Sequence, residues 1–317
     1  MCEEQGIQFT LMTYNVGGLK DHESRLSDML ELIKKVNPDV LAVQEITERE
    51  EWDGNNVHLP EIFARTLNYG NHYCLGETIS LRKHFHPSKC LFVDGIFKDW
   101  KDWRQGNALF SRWQFVSLGK ASVPASPWNI PLYLPLRYEG NRDTDPRYVI
   151  LSRLGCAPFF PYVAVTHFTT LRGERGGKTH EVPGKSIEAQ HVRENQSHHL
   201  LKLIKPYILD RGELLFLLGD LNALIEEPCI SNILQSEGGI IPLIPENPIA
   251  THPKVIAPVD HIMVFPGNRR VEYYCMVLDD KISCCASDHR PVVAQLSIYH
   301  SDTEKFKKLG AGVFPKY

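Results

Sequence analysis

Polar side chains stand at the margins of apolar runs in this chain, and their placement restricts the fold more than any other feature. The segment Glu213–Leu218 is apolar from Leu214 onward, as in a strand covered on both faces, and it delivers Asp220 and Asn222 at its C-terminal end. Phe9–Asn15 ends on Asn15, Asp39–Gln44 leads into Glu45, and Pro161–Thr166 leads into His167. Asp260 and His261 instead sit at the start of the strand Pro258–Phe265, and Asp288-His289 precede the strand Pro291–Ile298. Side chains at opposite ends of strands share one pocket only if the last two strands run antiparallel to the earlier ones. This argues for mixed or antiparallel sheets and against a parallel barrel or a dinucleotide-binding fold.

The remaining pattern fits that frame. Leu26, Met29, Leu30, Ile33 and Val36 recur at helical spacing over residues 23–36. Asn37-Pro38 stops this helix, because the residue before a proline is pushed out of the helical region. Arg147–Leu154 and Pro161–Thr166 read as paired strands. Residues 186–204 read as a helix whose polar N-terminal half leaves its face poorly defined. The final strand alternates, with Val292, Ala294, Leu296 and Ile298 on one face. No repeat or linker divides the 317 residues, so a single domain is expected, with a core over about 8–299 and a polar, lysine-rich surface tail over 300–317.

A net charge of −3 gives no sign of a strongly basic nucleic-acid binder, although a local basic face remains open. No apolar run approaches the roughly 18 residues of a membrane helix. The N-terminus Met1-Cys2-Glu3-Glu4-Gln5 does not resemble a secretory signal. The eight cysteines form no CxxC pair. They are read as reduced thiols and the location as cytoplasmic.

Glu45, Asp220, Asp260 and Asp288 offer hard oxygen ligands, which suit Mg²⁺ first and Mn²⁺ second. No thiolate joins them, so zinc fits poorly. The accompanying histidines and asparagines can hold an anion's oxygens, and a carboxylate beside a histidine orients it. The set fits metal-assisted attack of water on a phosphate ester. Taken singly, Asn15, Asp220-x-Asn222 and Asp288 are also ordinary turn chemistry, and His167 an ordinary packed histidine. Their joint occurrence favours a catalytic cleft.

These residues resemble the endonuclease/exonuclease/phosphatase superfamily. The matching segments are Thr13-Tyr14-Asn15-Val16, Pro38 to Glu45, Gly106-Asn107-Ala108-Leu109-Phe110-Ser111-Arg112, Val165-Thr166-His167-Phe168, Gly219-Asp220-Leu221-Asn222, Val259-Asp260-His261-Ile262 and Ser287-Asp288-His289-Arg290-Pro291. The resemblance implies an α/β (α+β) four-layer sandwich, two packed mixed or antiparallel sheets flanked by helices. It implies Glu45 as the main metal ligand, with Asn15 and Asp288 near the metal directly or through water. Asp220 is then the group that positions or deprotonates the attacking water, and Asn222 braces the phosphate. His167 and His289 donate to phosphoryl oxygens, and Asp260 orients His289. Asn107, Arg172 and Arg175 are expected to touch substrate. His261 is expected to be structural.

Substrate is less legible. Residues 169–205 hold seven Lys or Arg against four Glu, a cradle for a polyanion or else a solvated face. Thr169 to Glu174 is loosely similar to a loop of tyrosyl-DNA phosphodiesterases. Trp100, Trp103 and Trp113 either stack on bases or line a lipid pocket, or belong to the core. Arg82, Lys83, His84, His86 and Lys89 read as a basic exposed loop. Gln44-Glu45-Ile46-Thr47 departs from the abasic-endonuclease pattern, and Pro258-Val259-Asp260-His261 from that of inositol polyphosphate 5-phosphatases. The expectation is a nuclease-like phosphodiesterase with nucleic acid as the favoured partner. The alternatives are a phospholipid or phosphoinositide phosphoesterase, sphingomyelinase-like, and a catalytically silent binding module.

Overall fold

The computed structural model of the chain describes residues 6–17, 22–70, 72–85, 100–175, 182–236, 239–300 and 306–309. The first sheet contains β1 (Ile7–Asn15), β2 (Val40–Glu51), β3 (Asn56–His58), β4 (Tyr73–Ser80), β5 (Trp100–Ser111), β13 (Arg270–Val277), β14 (Val292–Tyr299) and β15 (Phe306–Lys308). The second contains β6 (Phe115–Val116), β7 (Trp128–Tyr133), β8 (Arg147–Leu154), β9 (Tyr162–His167), β10 (Leu215–Asp220), β11 (Ile241–Pro242) and β12 (Asp260–Phe265). Their orders are β15-β13-β14-β1-β2-β5-β4, with β3 on β2, and β11-β12-β10-β9-β8-β6, with β7 on β8.

Both sheets are mixed, in the sense the strand-end argument requires. β1 and β2 are parallel, as are β9 and β10, whereas β14 runs antiparallel to β1 and β12 antiparallel to β10. Alternation along β1 sends Phe9 and Leu11 into the layer between the sheets and Met12 and Tyr14 to the outer face. On that outer face lie α1 (His22–Val36), α2 (Leu59–Thr66) and α6 (Lys281–Ala286), packing Met29, Ile33, Phe63 and Ala286. The short α3 is Leu81–His84. α4 (Lys185–Ile204) and α5 (Pro228–Leu234) cover the second sheet with Leu200, Ile204 and Ile230. The result is helix, sheet, sheet, helix, as expected. No helix among the described residues is long and apolar enough to cross a membrane.

Helix α1 ends before Asn37-Pro38, as expected, and Asn37, at a φ of 51°, is a left-handed cap with its N–H on the Ile33 carbonyl at 2.8 Å. Other expectations need adjustment. The expected tail contributes an edge strand, with β15 pairing parallel to β13, because β13 otherwise leaves its ladder groups unpaired. α4 does have a defined buried stripe, Ala189, Arg193, Gln196, Ser197, Leu200 and Ile204. Its N-terminal half escapes notice because it packs on polar loops rather than on the sheet. Trp113 lies against Phe9 at 5.2 Å on the rim of the inter-sheet core. In the basic group, Arg82 and Lys83 pair with Asp102 and Glu77; His86 and Lys89 fall outside the described residues, as do Lys178, His180 and Glu181.

Candidate active site

Register builds the floor of the site. Asp220 is the Cα partner of His167 on one side and of Asp260 on the other. Gly219 permits this close pairing, because a Cβ there would meet the Thr166 carbonyl oxygen at 1.9 Å. Asn15 reaches across from the first sheet and donates its amide N–H groups to Asp220 at 3.0 Å and to Glu45 at 3.2 Å. Its oxygen accepts from the Gly17 N–H at 2.9 Å. Asn15 thus brackets two carboxylates as a donor.

Glu45 does not end its strand. β2 continues to Glu51, and its pairing with β5 shifts register between Val43 and Ile46. Glu45 occupies this bulge with a φ of 59°, uncommon for a residue with a Cβ. The bulge turns a mid-strand carboxylate into the cleft, where Gln105 reaches it at 3.5 Å. Asp288 is held by its neighbour, since Ser287 donates to the Asn15 carbonyl at 2.8 Å and accepts from the His289 N–H at 3.2 Å.

The two histidines are in opposite states. His289 places Nδ1 at 2.9 Å from Asp260 and Nε2 at 3.8 Å from Asp220. Burial disfavours its charge, but the Asp260 and Asp220 carboxylates outweigh that and push it up to about 10, so it is imidazolium at neutral pH. His167 is lowered well below its ordinary value by burial, then by Arg147, His289 and Arg142, and is neutral. Its Nε2 lies 3.0 Å from the Asn222 amide nitrogen. That nitrogen also donates to the Phe168 carbonyl, and the Asn222 oxygen accepts from Arg175 at 3.1 Å, so both neighbours fix the amide's orientation. The same Nε2 also stands 3.4 Å from the Asp220 carboxylate, so His167 sits between an amide donor and a carboxylate acceptor. Burial first, and Asp260 second, raise Asp220 to about 6.

Of the residues picked from sequence, Glu45, His167, Arg172, Arg175, Asp220, Asn222, Asp288 and His289 line one cavity of about 470 Å³. Asn15 and Asp260 stand behind it, each 1% exposed. Asn107 does not reach this cavity; it lines an adjoining one of about 380 Å³, because its place on β5 faces β4 and the loop before β8. His261 bonds the Ala223 carbonyl at 2.7 Å and lines neither cavity. Sequence reasoning passed over His252, whose ring centre is 4.7 Å from that of His289, and Lys254 and Arg142, which also line the cleft. The only signal was their position in or beside loops, with no residue pattern to mark them.

A buried ion network supports the loops. Arg193 of α4, 1% exposed, meets Glu174 and Glu227 at 2.7 Å each and the Thr169 carbonyl at 3.1 Å. Gln196 clamps Thr169 through its N–H at 3.0 Å and its hydroxyl at 2.6 Å. Glu174 in turn accepts from the Leu171 N–H, and Glu227 from the Leu224 N–H. One guanidinium thus ties together the loops that leave β9 after His167 and β10 after Asn222.

Asp220, Asp260 and His289 bring ligand-type atoms within 4.8 Å of one another. His289 bonds Asp260 through Nδ1 and turns Nε2 toward Asp220, the arrangement of an imidazole oriented by one carboxylate beside another. Glu45 and Asp288 are the carboxylates with room for an ion. Neither lies within ion-pair distance of a Lys or Arg among the described residues, and this hard-oxygen set fits a divalent cation.

Comparison with known proteins agrees with this geometry. The model of the Endonuclease/Exonuclease/phosphatase family matches residues 12–289. No curated protein matches the sequence. The catalytic domain of human Nocturnin with bound sulfate is similar in fold, at 18% identity and a TM-score of 0.62, covering 93% of this chain and 96% of that one. A humanized D. rerio TDP2 gives 14% identity and 0.56 over 91% and 98%. A Bacteroides thetaiotaomicron mannosyl-6-phosphatase gives 15% and 0.54 over 91% and 99%. The strand-end residues, their convergence on one cleft and the match over residues 12–289 place this chain in the endonuclease/exonuclease/phosphatase family.

Proposed function

We propose that this chain is a single-domain, divalent-metal-dependent phosphodiesterase of the nuclease type, cleaving its substrate by in-line attack of an activated water. One observation carries the reading. Two carboxylates without a fixed counter-charge, Glu45 and Asp288, border the same cleft as the linked Asp220, His289 and Asp260.

Glu45 and Asp288 would hold Mg²⁺ or Mn²⁺, with Asn15 orienting Glu45 through its amide. The ion, when bound, supplies Lewis-acid stabilisation of charge on the phosphate oxygens. Asp220, raised to about 6 yet largely ionised above that pH, takes a proton from the water. The charged His289 donates from Nε2 to a phosphoryl oxygen, while Asp260 fixes its ring. Asn222, braced by His167 and Arg175, positions the phosphate. Arg172, Arg175, Arg142 and Lys254 place four positive charges around the cleft, which favours a polyanionic chain such as nucleic acid. A lining this charged offers an acyl chain little to pack on, so the lipid alternative is disfavoured. The described cysteines are free thiols, which supports a cytoplasmic location.

Hydrolysis of bis-p-nitrophenyl phosphate and of DNA tests this. Chelation is expected to abolish activity and Mg²⁺ or Mn²⁺ to restore it. Asp220→Ala and His289→Ala are each expected to lose at least about 10²-fold in turnover while staying folded. Activity that survives chelation refutes the metal, and near-normal turnover in either variant removes that residue from its role.

A further inference from the structure

The second cavity has chemistry that the reaction does not use. It shares Glu45, Arg142, His167 and Thr170 with the catalytic cavity, so a phosphate held in one can project its substituent into the other. Its volume, about 380 Å³, is in the range of small-ligand pockets.

Its walls are aromatic and its floor is charged. Trp103 and Tyr138 line it. Trp103 is backed by Trp100, ring centres 6.4 Å apart, and Tyr138 by Phe85 at 5.3 Å and His84 at 5.4 Å, so both rings are held in place. Arg147 is 5% exposed, yet its Nε–H has no acceptor. Its terminal nitrogen is 3.6 Å from Asp145, longer than a good hydrogen bond. Arg147 and Asp145 both line the cavity, and their long contact leaves the guanidinium and the carboxyl open to polar groups of a ligand. Asp145 beside it bonds Tyr138 and, pushed up by burial to about 6, can accept or donate.

We propose that this cavity is a base-binding subsite: a nucleobase of the substrate stacks between Trp103 and Tyr138 and pairs its polar edge with Arg147 and Asp145. The proposal rests on the phosphodiesterase reading for the position of the phosphate. A heterocycle with donors and acceptors side by side satisfies the guanidinium and the carboxyl together. A flat π-face suits two aromatic walls, as in single-strand binding. A hydrocarbon tail would leave the Arg147–Asp145 floor unpaired. An inositol or sugar ring can pair with the floor, but it offers the aromatic walls only C–H contacts and no π-face.

Equilibrium binding separates these possibilities without requiring turnover. The four nucleoside monophosphates, ribose 5-phosphate and inositol 1-phosphate are titrated into the wild-type chain and into Trp103→Ala and Arg147→Lys. At least one nucleotide is expected to bind about tenfold more tightly than ribose 5-phosphate, and either substitution is expected to erase that margin. Trp103 is only half-buried, so Trp103→Ala serves if Arg147→Lys fails to fold. Ribose 5-phosphate or inositol 1-phosphate binding as tightly as every nucleotide, or a margin that survives both substitutions, overturns the subsite. No hydrolysis of bis-p-nitrophenyl phosphate or DNA by the wild-type chain supplied with Mg²⁺ or Mn²⁺, with a nucleotide margin intact, would instead refute the phosphodiesterase reading alone.

Discussion

Replacing Arg193 by methionine keeps most of the side-chain volume on α4 and removes one charge. Two carboxylates are then stranded, Glu174 and Glu227, whose side chains are 3% and 11% exposed. The Thr169 carbonyl also loses its donor. Removing one partner of a buried pair costs about 3–5 kcal/mol. Arg175, at 3.7 Å from Glu174, leaves that carboxylate partly compensated, which points to about 3–4 kcal/mol. With about 2.1 cal/mol/K per residue of unfolding entropy, a chain of 317 residues loses about 5–6 °C in Tm. Urea titrations at neutral pH measure the deficit. Adding Glu174→Gln and Glu227→Gln to Arg193→Met removes the stranded charges and should recover most of the loss. A deficit under about 1 kcal/mol, or one that the two Gln substitutions do not reduce, would show that the network does not hold the loops in the way the distances suggest.

Two further predictions concern the floor and the adjoining cavity. Gly219→Ala drives a Cβ into the Thr166 carbonyl and must part β9 from β10. A loss of about 3 kcal/mol in chemical denaturation is expected, together with reduced turnover, because His167 and Asp220 share that register. Asp145, held near 6 by burial against an unfolded value near 4, binds its proton more tightly when folded. Its contribution to stability is present below about pH 4 and falls by about 2–3 kcal/mol as pH rises through 6. Asp145→Asn should flatten that part of the stability–pH curve, and an unchanged curve would refute the burial argument.

Strand ends, their apolar bodies and the opposed directions of β12 and β14 could be read from residue order, because alternation and continuous apolar runs are local properties of a chain. So could the polar residues that meet in the cleft, since each is tied to the end of such a run. Glu45 shows the limit of this. Its motif marked the residue, but the bulge that aims it exists only where β2 pairs with β5, and pairing is not written in either segment alone. Arg193 looked like one more charge on a polar helix. Its burial follows from Glu174 and Glu227 arriving from two other loops. His252, Arg142 and the Arg147–Asp145 floor are likewise products of long-range packing, which brings separate loops to one opening. Sequence determined which groups do chemistry and at which ends of which strands they stand, because covalent neighbours set those facts. Tertiary structure decided their orientation, charge state and supporting partners, because those depend on groups that only folding brings within a few ångströms.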